Sequence, residues 1–469
     1  MISARAYPLV LLYSLATLAP SGCGGNDGGG DNTPSTSYRH AWSTVIGGSA
    51  DDAAVDAVSL MDGGAVVVGY FEGSVLFGSD TLTSYGGVGR DAFITRLDAD
   101  GRPLWGRRFG GTGDDEAVAV AQAEDGTVVV AVTFPSQLEI DGTVLLGSGI
   151  MDAALIALST ADGTTAWYRQ LGATGSIQPH DLEVRSGWVM VSGSFNGSVD
   201  FAGLLLTSSN GADAFVSAYA IADGTRQWTI APSGTGAETA VDLYADTPGA
   251  MVLVGTFEDD ITLGTVTLQS AGGTDIFLAA VALTDGAVTW AERYGGDGLD
   301  DVVAFARSDD QTFWLSGSFE GAADFAGSTI QSAGARDLYL AKLGTVGTVE
   351  WVRTIGGSSD DVATGIVVDP DGFVLNVGTV TGSVDLGQGT TSGRAGAEMF
   401  AAAYEPRLGH GAWSERYSGT LVPMRLVAGG DKFLVVGSIE GPADIGGQRV
   451  AANGGTDILI TRLDWLGQP

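Results

Sequence analysis

The sequence predicts an all-β fold, a seven-bladed β-propeller with four strands in each blade. Two markers that share one period favour this fold, because self-similarity at a fixed interval is typical of repeat architectures. Seven tryptophans recur at intervals of 61 to 63 residues: Trp42, Trp105, Trp167, Trp228, Trp290, Trp351 and Trp413. An acidic residue that opens an apolar segment recurs at Asp91, Asp152, Asp213, Asp275, Asp337, Glu398 and Asp457.

Each repeat can be divided into four strands, A to D. Strand A is apolar (116–124), strand B is almost continuously apolar (64–71, 127–134, 250–257 and 432–439), strand C alternates (91–98, 213–220, 337–344 and 457–464), and strand D carries the tryptophan. Turns rich in Asp and Gly separate the strands, as hairpins require. A strand that is apolar on both faces must be covered on both sides, and stacked blades provide that cover. The recurring tryptophan is therefore interpreted as a packing residue between blades.

The two ends of the repeat region predict closure of the ring. The segment around Trp42 is a strand D with no strands A to C before it, and the last repeat stops after its strand C at 457–464. A closed ring forms if His40–Ile46 completes the blade whose other strands lie in Thr420–Asp464. An open solenoid is the alternative, but it would gain nothing from split ends and would need distinct caps.

The repeat resembles a known group, the bacterial seven-bladed β-propeller repeat proteins of secreted and surface lipoproteins. The similarity rests on the pattern D-x-F-(x)-L-D-x-x-G-x-x-x-W, G-G, D-D and D-G-x-V-x-V-x-G-x-F, and it covers about residues 40–469. The resemblance implies the fold. It implies no activity, because such repeats act as scaffolds with varied partners.

The N-terminal segment is typical of an exported protein. Residues 1–23 contain Arg5 and a short apolar run, Tyr7–Ala19, which is too short to span a bilayer and is typical of a signal peptide. The run ends before Cys23, the sole cysteine, so the segment resembles a bacterial lipoprotein signal in which Cys23 would be lipidated. The alternative is a chance cysteine in an ordinary secretory peptide. Residues 24–39 are expected to form a flexible linker, and residues 40–469 the propeller.

The resemblance of the leader also predicts a location. Gly24, rather than an acid, follows Cys23, which by resemblance favours the outer membrane. We therefore expect an outer-membrane-anchored lipoprotein of the cell envelope, periplasmic or surface-exposed. The net charge is −34, from 56 acidic and 22 basic residues, which argues against nucleic acid as a partner. The folded part is expected to be a soluble monomer.

Acidic loops between strand D and the next strand A are the strongest candidate for a binding surface. Four loops of the form GGxxDD or GGxxxDD contain paired carboxylates: Asp51 and Asp52, Asp114 and Asp115, Asp300 and Asp301, and Asp360 and Asp361. The equivalent segments 172–177, 233–238 and 418–420 are degenerate, with only Glu238 as an acid. Long connections between strands B and C lie on the same rim, each expected to form an extra hairpin. A protein or glycan ligand is expected at this face.

Two interpretations of the paired carboxylates remain open at this stage. Paired Asp residues in a Gly-rich loop can bind Ca²⁺, which takes six to eight oxygen ligands. Alternatively, the side chains accept hydrogen bonds from backbone N–H groups at turns. The repetition of the motif favours a structural role, and no other cofactor is expected.

Few other residues suggest catalysis. The three histidines are His40 and His410, close to tryptophans of strand D, and His180, in a loop of the third blade. No GxSxG, HExxH or His-rich metal motif occurs. These observations predict a non-enzymatic binding or scaffold lipoprotein. The alternatives are a secreted propeller enzyme that acts on glycans, and an outer-membrane assembly factor.

Overall fold

A computed structural model describes residues 37–467, except 88, 173, 248, 309, 394 and 395 and the side chains of 246 and 247. The signal segment, Cys23 and most of the linker lie outside the described residues. The fold is all-β, with one short 3₁₀ helix at Tyr85–Gly87. Within the described part of the chain, no helix is long and apolar enough to cross a membrane.

The strands of the N-terminal half are, in chain order, β1 (Tyr38–Ile46), β2 (Ala53–Ser59), β3 (Ala65–Glu72), β4 (Ser74–Phe77), β5 (Asp80–Thr83), β6 (Arg90–Leu97), β7 (Pro103–Phe109), β8 (Glu116–Gln122), β9 (Thr127–Phe134), β10 (Gln137–Ile140), β11 (Thr143–Leu146), β12 (Asp152–Ser159), β13 (Thr165–Leu171), β14 (Ser176–Arg185), β15 (Trp188–Asn196), β16 (Ser198–Asp200), β17 (Leu205–Thr207), β18 (Asp213–Ala220), β19 (Arg226–Ile230) and β20 (Ser233–Gly234). The strands that follow are β21 (Glu238–Thr247), β22 (Ala250–Leu263), β23 (Val266–Ala282), β24 (Val288–Gly296), β25 (Asp300–Arg307), β26 (Phe313–Phe325), β27 (Ser328–Leu343), β28 (Val349–Ile355), β29 (Val362–Val368), β30 (Val374–Thr381), β31 (Val384–Asp385), β32 (Thr390–Thr391), β33 (Ala397–Tyr404), β34 (Gly411–Gly429), β35 (Lys432–Ile445) and β36 (Gln448–Trp465).

The strand pairings group the chain into consecutive four-stranded antiparallel modules. In order, module 1 is β2-β3-β6-β7, module 2 is β8-β9-β12-β13, module 3 is β14-β15-β18-β19, module 4 is β21-β22-β23-β24 and module 5 is β25-β26-β27-β28. Module 6 contains β29-β30-β33 and the first part of β34, and module 7 contains the rest of β34 with β35, β36 and β1. β34 therefore serves two modules. The N-terminal strand β1 pairs with β36 in the register Ile46↔Ile458, as the split ends of the repeat predict.

An extra hairpin interrupts the connection between the second and third strand of each module. It is a separate pair in four modules: β4 with β5, β10 with β11, β16 with β17, and β31 with β32. In modules 4, 5 and 7 the hairpin is formed by the extended ends of β22 and β23, β26 and β27, and β35 and β36. The predicted hairpins in the long connections are confirmed.

The first strand of each module lies on the inside of the structure. β2 contacts β8, β8 contacts β14, β14 contacts β21, β21 contacts β25, β25 contacts β29, β29 contacts β34, and β34 contacts β2. Buried apolar clusters lie between successive modules. In one of them Val68 and Ile94 of module 1 pack with Val130 and Ile156 of module 2, all fully buried. These inner strands position the site described below.

Six of the repeated tryptophans, all except Trp413, contact the turn before the last strand of the following module. The indole N–H of Trp167 donates a hydrogen bond of 2.7 Å to the carbonyl oxygen of Ile221, and that of Trp228 donates one of 2.7 Å to Leu283. The ring of Trp167 also covers Gly224, where an added Cβ would lie 2.6 Å from the ring. Gly224 has φ +68°, so a side chain there would be strained as well as blocked.

Substitution of Trp167 by alanine is expected to destabilise the protein by about 3–5 kcal/mol, because a large buried ring is removed from the contact between modules 2 and 3. Urea unfolding followed by circular dichroism would measure the change. Leu104→Ala is the control, since Leu104 is exposed and its loss should change the free energy of unfolding by less than about 0.5 kcal/mol. Equal stabilities of the two variants would contradict the packing role.

Candidate functional site

In three of the four loop pairs, the second acid is buried and binds the backbone of its own loop. Asp52, Asp115 and Asp361 are each fully buried. Each accepts a hydrogen bond from the N–H four residues earlier, at 2.7 Å from Gly48, 2.6 Å from Gly111 and 2.7 Å from Gly357. These carboxylates therefore hold the GG turn in shape.

In the same three pairs, the first acid contacts the preceding module. Asp51 accepts a hydrogen bond of 2.9 Å from the N–H of Thr456, Asp114 one of 3.1 Å from Arg90, and Asp360 one of 3.2 Å from Arg336. The loop in module 5 differs, because GGDGLDD is one residue longer than GGSADD.

In that longer loop the register of the pair shifts by one residue. Asp300 takes the place of the second acid and accepts a hydrogen bond of 2.5 Å from the N–H of Gly296. Asp301 instead forms an ion pair with Arg336, with 3.2 Å between its carboxylate and the guanidinium. The two acids of this loop therefore do not match the other pairs position by position.

Each buried second acid faces a carboxylate of the preceding module rather than its neighbour in sequence. Asp275 and Asp300 both lie against Gly295, where an added Cβ would be 2.0 Å from Asp275 Oδ1 and 2.8 Å from Asp300 Oδ2. Asp91 is the corresponding neighbour of Asp115. The first Gly of the GG motif is thus required, because the carboxylate of the preceding module occupies the space that a side chain would need.

Burial, followed by repulsion from the facing carboxylate, raises the pKa of these acids. The pKa is raised to about 7 for Asp52 and Asp300, and to about 8 for Asp115 and Glu238. Hydrogen bonds from backbone N–H groups act in the opposite direction but do not cancel the effect of burial. Among the described residues, no group of three or more His, Cys, Asp or Glu could hold a metal ion. Calcium binding at these loops stays a prediction.

A second cluster of polar groups, not foreseen from the sequence, lies where the inner strands meet. Each inner strand contains a β-bulge at the same repeat position, and a bulge re-aims the side chains that follow it. The residues that fall in the bulges are Val55, Val118, His180, Val241, Val303, Thr364 and Met424. The residues directly after them are Asp56, Ala119, Asp181, Asp242, Ala304, Gly365 and Arg425.

Arg425 is surrounded by the three carboxylates of this second set. Its guanidinium lies 2.9 Å from Asp181, 3.4 Å from Asp56 and 3.8 Å from Asp242. Burial by itself would lower the pKa of Arg425, but the three carboxylates outweigh it and raise that pKa above its ordinary value. Arg425 is therefore a permanent cation that joins modules 1, 3, 4 and 7.

The same three carboxylates also bind the backbone of the next inner strand. Asp56 accepts a hydrogen bond of 2.8 Å from the N–H of Val120, Asp181 one of 3.2 Å from Leu243, and Asp242 one of 3.1 Å from Phe305. Burial raises the pKa of Asp56 and that of Asp181, and the Asp242 carboxylate raises the latter further.

Six of the seven bulge residues, all except Thr364, line a central cavity of about 420 Å³, and Arg425 also belongs to its lining. It lies at the strand ends that carry the GGxxDD loops, because Glu116 begins β8 and Thr133 is close to the end of β9. The polar lining groups are Asp56, Glu116, Thr133, Gln178, His180 and Arg425. A second cavity of about 360 Å³ lies on the other side of Arg425 and is lined in part by Glu183. Burial raises the pKa of Glu183 to about 8.

Two polar side chains of the central cavity are free to bind a ligand. His180 is exposed to the cavity, and the surrounding protein lowers its pKa, so the imidazole is neutral at pH 7. Burial raises the pKa of Glu116, and the positive charge of Arg90 partly offsets this effect. Within the described part of the chain, neither side chain takes part in a hydrogen bond.

The structure also places the other candidate residues. His180 lies in the bulge of β14, not in a loop as the sequence predicts. His40 lies on β1, where its Nε2 is 2.8 Å from Ser43 Oγ. The backbone carbonyl of His410 accepts a hydrogen bond from the N–H of Glu405 in a turn. Asp56, Asp181, Asp242 and Arg425 are spaced along the chain in register with the repeat, and this spacing is the signal that could have identified them.

Comparison with known proteins does not assign a family. No protein-family model matches the chain. A stretch of 297 residues is 29% identical to the Regulatory protein FlaEY of Caulobacter vibrioides and covers 57% of this chain. The match spans only 29% of the length of that protein.

Solved structures of similar architecture are remote. The quinohemoprotein alcohol dehydrogenase from Comamonas testosteroni is 12% identical, with a TM-score of 0.45, and the match covers 90% of this chain and 76% of that one. BamB from Moraxella catarrhalis is 12% identical, with a TM-score of 0.40, covering 91% and 100%. The quinohemoprotein alcohol dehydrogenase ADHIIG from Pseudomonas putida HK5 is 11% identical, with a TM-score of 0.43, covering 91% and 76%. Similarity at this level assigns no activity.

Proposed function

We propose that the chain is a non-enzymatic binding or scaffold lipoprotein of the bacterial cell envelope. One observation carries the proposal. The recurring loop carboxylates accept hydrogen bonds from backbone N–H groups of the fold. By contrast, Glu116 and His180, which do not recur in every module and make no side-chain hydrogen bond within the described part of the chain, both line the central cavity. Repeated acids that stabilise the fold provide no unique catalytic pair, and a concave cavity with free polar groups is a binding site.

The proposed architecture is a closed seven-bladed β-propeller. The pairing of β1 with β36 and the contact of β34 with β2 support closure, since both bring the two ends of the repeat region together. In such a ring the inner strands line a central channel, and Arg425 divides it. A protein or glycan partner would then approach the rim at which the central cavity lies, and any Ca²⁺ held by the GGxxDD loops would lie on the same rim.

Photocrosslinking in cells tests the binding role. We would place a photoreactive phenylalanine analogue at Gln178, an exposed residue that lines the central cavity, and at Gln227, an exposed residue on β19 away from the cavity. The proposal expects an adduct with an envelope component from the first position and none from the second. Equal labelling from both positions, or none from either, would contradict a binding role at this rim.

A glycan-cleaving enzyme is the main alternative, and the central cavity limits which residues it could use. Asp56, Glu116 and His180 are the titratable groups that it offers besides Arg425. Incubation with a panel of glycans, followed by chromatography, should give no products. Cleavage that the Glu116→Gln variant abolishes would overturn the non-enzymatic proposal. An outer-membrane assembly role would appear instead as adducts with outer-membrane proteins.

The proposed lipid anchor depends on Cys23, and Cys23→Ser is expected to release the protein from the membrane fraction. The physical reason is that acyl chains on the cysteine would supply the membrane affinity, and several chains anchor durably where one does not. Fractionation with immunoblotting measures the change, and Ser21→Ala, which keeps the cysteine, is the matched control. Unchanged membrane association of Cys23→Ser would refute lipidation.

A further inference from the structure

The turn between the third and fourth strands of each module contains one position at which the repeat changes character along the chain. In every module this position precedes a glycine with φ between +67° and +80°. In order from module 1 to module 7, the residues there are Asp100, Asp162, Asp223, Asp285, Val346, Leu408 and Leu466. The last three are 52%, 60% and 53% exposed. Three consecutive modules, 5 to 7, therefore present an exposed apolar side chain where the other four present an acid.

The aspartates have a local role that the apolar residues cannot fill. In modules 2 to 4 each accepts a hydrogen bond from the N–H two residues later, at 3.1 Å for Asp162, 2.9 Å for Asp223 and 3.0 Å for Asp285. A valine or leucine at this position gives up that bond and exposes apolar surface to water. Positions at which a sequence breaks a local rule are expected to be functional. We call Val346, Leu408 and Leu466 the apolar arc.

The chain enters the fold beside the apolar arc. The N–H of Leu466 donates a hydrogen bond of 3.0 Å to the carbonyl oxygen of Ser37, the residue before β1. Cys23 is 14 residues before Ser37, and a chain of that length spans at most about 50 Å. A lipid on Cys23 would therefore keep this end of the modules near the bilayer. Within such a short tether, a contact too weak to hold a free protein is sufficient.

The charges around the apolar arc suit a phospholipid surface. Arg407 is exposed directly before Leu408, and Arg353 donates a hydrogen bond of 2.8 Å to the carbonyl oxygen of Leu408. Arginine can bury its alkyl stem beside an apolar side chain and place its charge among the lipid phosphates. The exposed acids of modules 6 and 7, Asp371 and Asp431, lie in the turn between the first two strands, nearer the inner strands. Basic groups therefore flank the apolar tip of module 6.

We propose that the apolar arc docks on the surface of the bilayer that holds the lipid anchor, with Val346, Leu408 and Leu466 inserted among the headgroups. The arc lies at the opposite end of the modules from the GGxxDD loops, because the fourth strand of a module begins at one and ends at the other. Docking therefore directs the central cavity away from the membrane. This inference rests on the lipid anchor of the proposed function and adds the orientation of the protein.

Site-specific fluorescence of the mature lipidated protein in vesicles of phosphatidylethanolamine and phosphatidylglycerol tests the proposal. Cys23 is the sole cysteine and its sulfur would carry the lipid, so an introduced cysteine is the only free thiol. We would attach a fluorophore to His410→Cys, and to Thr164→Cys at the equivalent exposed position of module 2. A nitroxide on the lipid headgroups quenches only a fluorophore close to the bilayer. We expect quenching at position 410 and none at position 164.

A combined variant tests the apolar side chains themselves. It introduces aspartate, which modules 1 to 4 have at this position, so the turns can accommodate the changes: Val346→Asp, Leu408→Asp and Leu466→Asp. Quenching at position 410 should be lost. The matched control replaces three exposed leucines of the extra hairpins of modules 1 to 3: Leu76→Asp, Leu146→Asp and Leu205→Asp. It should retain the quenching, and circular dichroism shows that both variants are folded.

Three outcomes would overturn the docking. They are equal quenching at positions 410 and 164, quenching at 410 that the combined variant retains, and loss of quenching in the matched control as well. Emission at position 410 that depends on protein concentration in the unanchored Cys23→Ser form would assign the arc to a second copy of the chain, which also overturns it. Flotation of the vesicles separates the two proposals. Protein that floats without quenching at position 410 refutes only the docking, whereas protein that does not float refutes the anchor and the docking with it.

Discussion

Replacement of Arg425 by methionine is expected to destabilise the protein by about 3 kcal/mol at pH 7.5. Methionine keeps an unbranched side chain but has no charge, so the variant leaves Asp56, Asp181 and Asp242 close together with no cation between them. Breaking a buried ion pair from one side costs about 3–5 kcal/mol. The lower end applies because the Arg425 side chain is 27% exposed to the cavity.

The loss of stability in Arg425→Met should become smaller as pH falls. Burial already raises the pKa of Asp56 and of Asp181, and loss of the cation raises both further. At a pH above the unfolded pKa of these two acids but below their folded pKa, the native state binds protons that the unfolded state does not. The stability of the variant therefore increases as pH falls through this range. The gap between the variant and the wild type should therefore narrow at pH 5.5.

Urea unfolding at the two pH values measures this effect. Arg407→Met, at an exposed turn position, is the matched control and should change stability by less than about 0.5 kcal/mol at either pH. The ion cluster would have no stabilising role if Arg425→Met resembled Arg407→Met at pH 7.5.

The fold could be predicted from the sequence because the repeated signals are local. The continuous apolar run of 127–134 corresponds to β9, whose residues after the first are all buried between neighbouring modules. The pairing of β1 with β36 followed from counting which strands were missing at each end of the repeat region. Both inferences need only strand order and hydrophobic pattern.

The central cluster could not be predicted in the same way, because it depends on the bulges. Side chains alternate between the two faces of a strand, and one extra residue changes which of them point inward. Asp56, Asp181, Asp242 and Arg425 also come from four different modules, and only the contacts between inner strands bring them together. Their common repeat position was visible in the sequence, but their shared direction was not.

The loop acids are a second case in which the sequence alone suggests the wrong pairing of side chains. Asp114 and Asp115 are adjacent in sequence and therefore appear to be a pair of ligands. In the structure Asp114 binds the backbone of Arg90, whereas Asp115 is buried against Asp91 of the preceding module. Neighbouring residues of an extended segment point in opposite directions, so the carboxylate that faces Asp115 had to come from another part of the chain.

The protein is expected to lose stability as pH rises from 6.5 to 8.5, because several of its buried acids have a raised pKa. Burial raises the pKa to about 7 or about 8 for five acids: Asp52, Asp115, Glu183, Glu238 and Asp300. In the unfolded chain these acids are ionised throughout that range, but in the native state they lose their protons within it. The native state binds more protons at pH 6.5, so stability must fall as they are lost, by at least about 2 kcal/mol in total.

Other titrating groups do not reverse this expectation. The acids with a lowered pKa, such as Asp51 and Asp62, contribute stability that changes only below about pH 4. Burial also lowers the pKa of His40 and of His180, so their contribution changes as pH falls below about 6.5. The range from 6.5 to 8.5 therefore isolates the buried carboxylates.

Asp115→Asn should remove part of this loss, and should stabilise the protein at pH 8.5 by about 1 kcal/mol. The amide oxygen can still accept the hydrogen bond from the N–H of Gly111. The amide N–H₂ takes the place of Oδ1, which has no hydrogen-bond partner, and can donate to Asp91 Oδ1, which also has none. At pH 6.5 the variant and the wild type should differ little, because Asp115 is then mostly protonated. Asp297→Asn, an exposed acid in the loop of module 5, should leave the pH dependence unchanged.

The same measurements decide between a shared proton and calcium at these loops. A ligand that binds only the native state adds stability that grows with its concentration. If the GGxxDD loops bind Ca²⁺, millimolar calcium at pH 8.5 should raise the melting temperature of the wild type, and Asp115→Asn should reduce the gain. If each facing pair instead holds a proton, calcium and chelator should give the same melting temperature, and only the variant should be more stable. Asp115→Asn that is less stable than the wild type at pH 8.5 would contradict both, since each requires repulsion between Asp91 and Asp115 in the free protein.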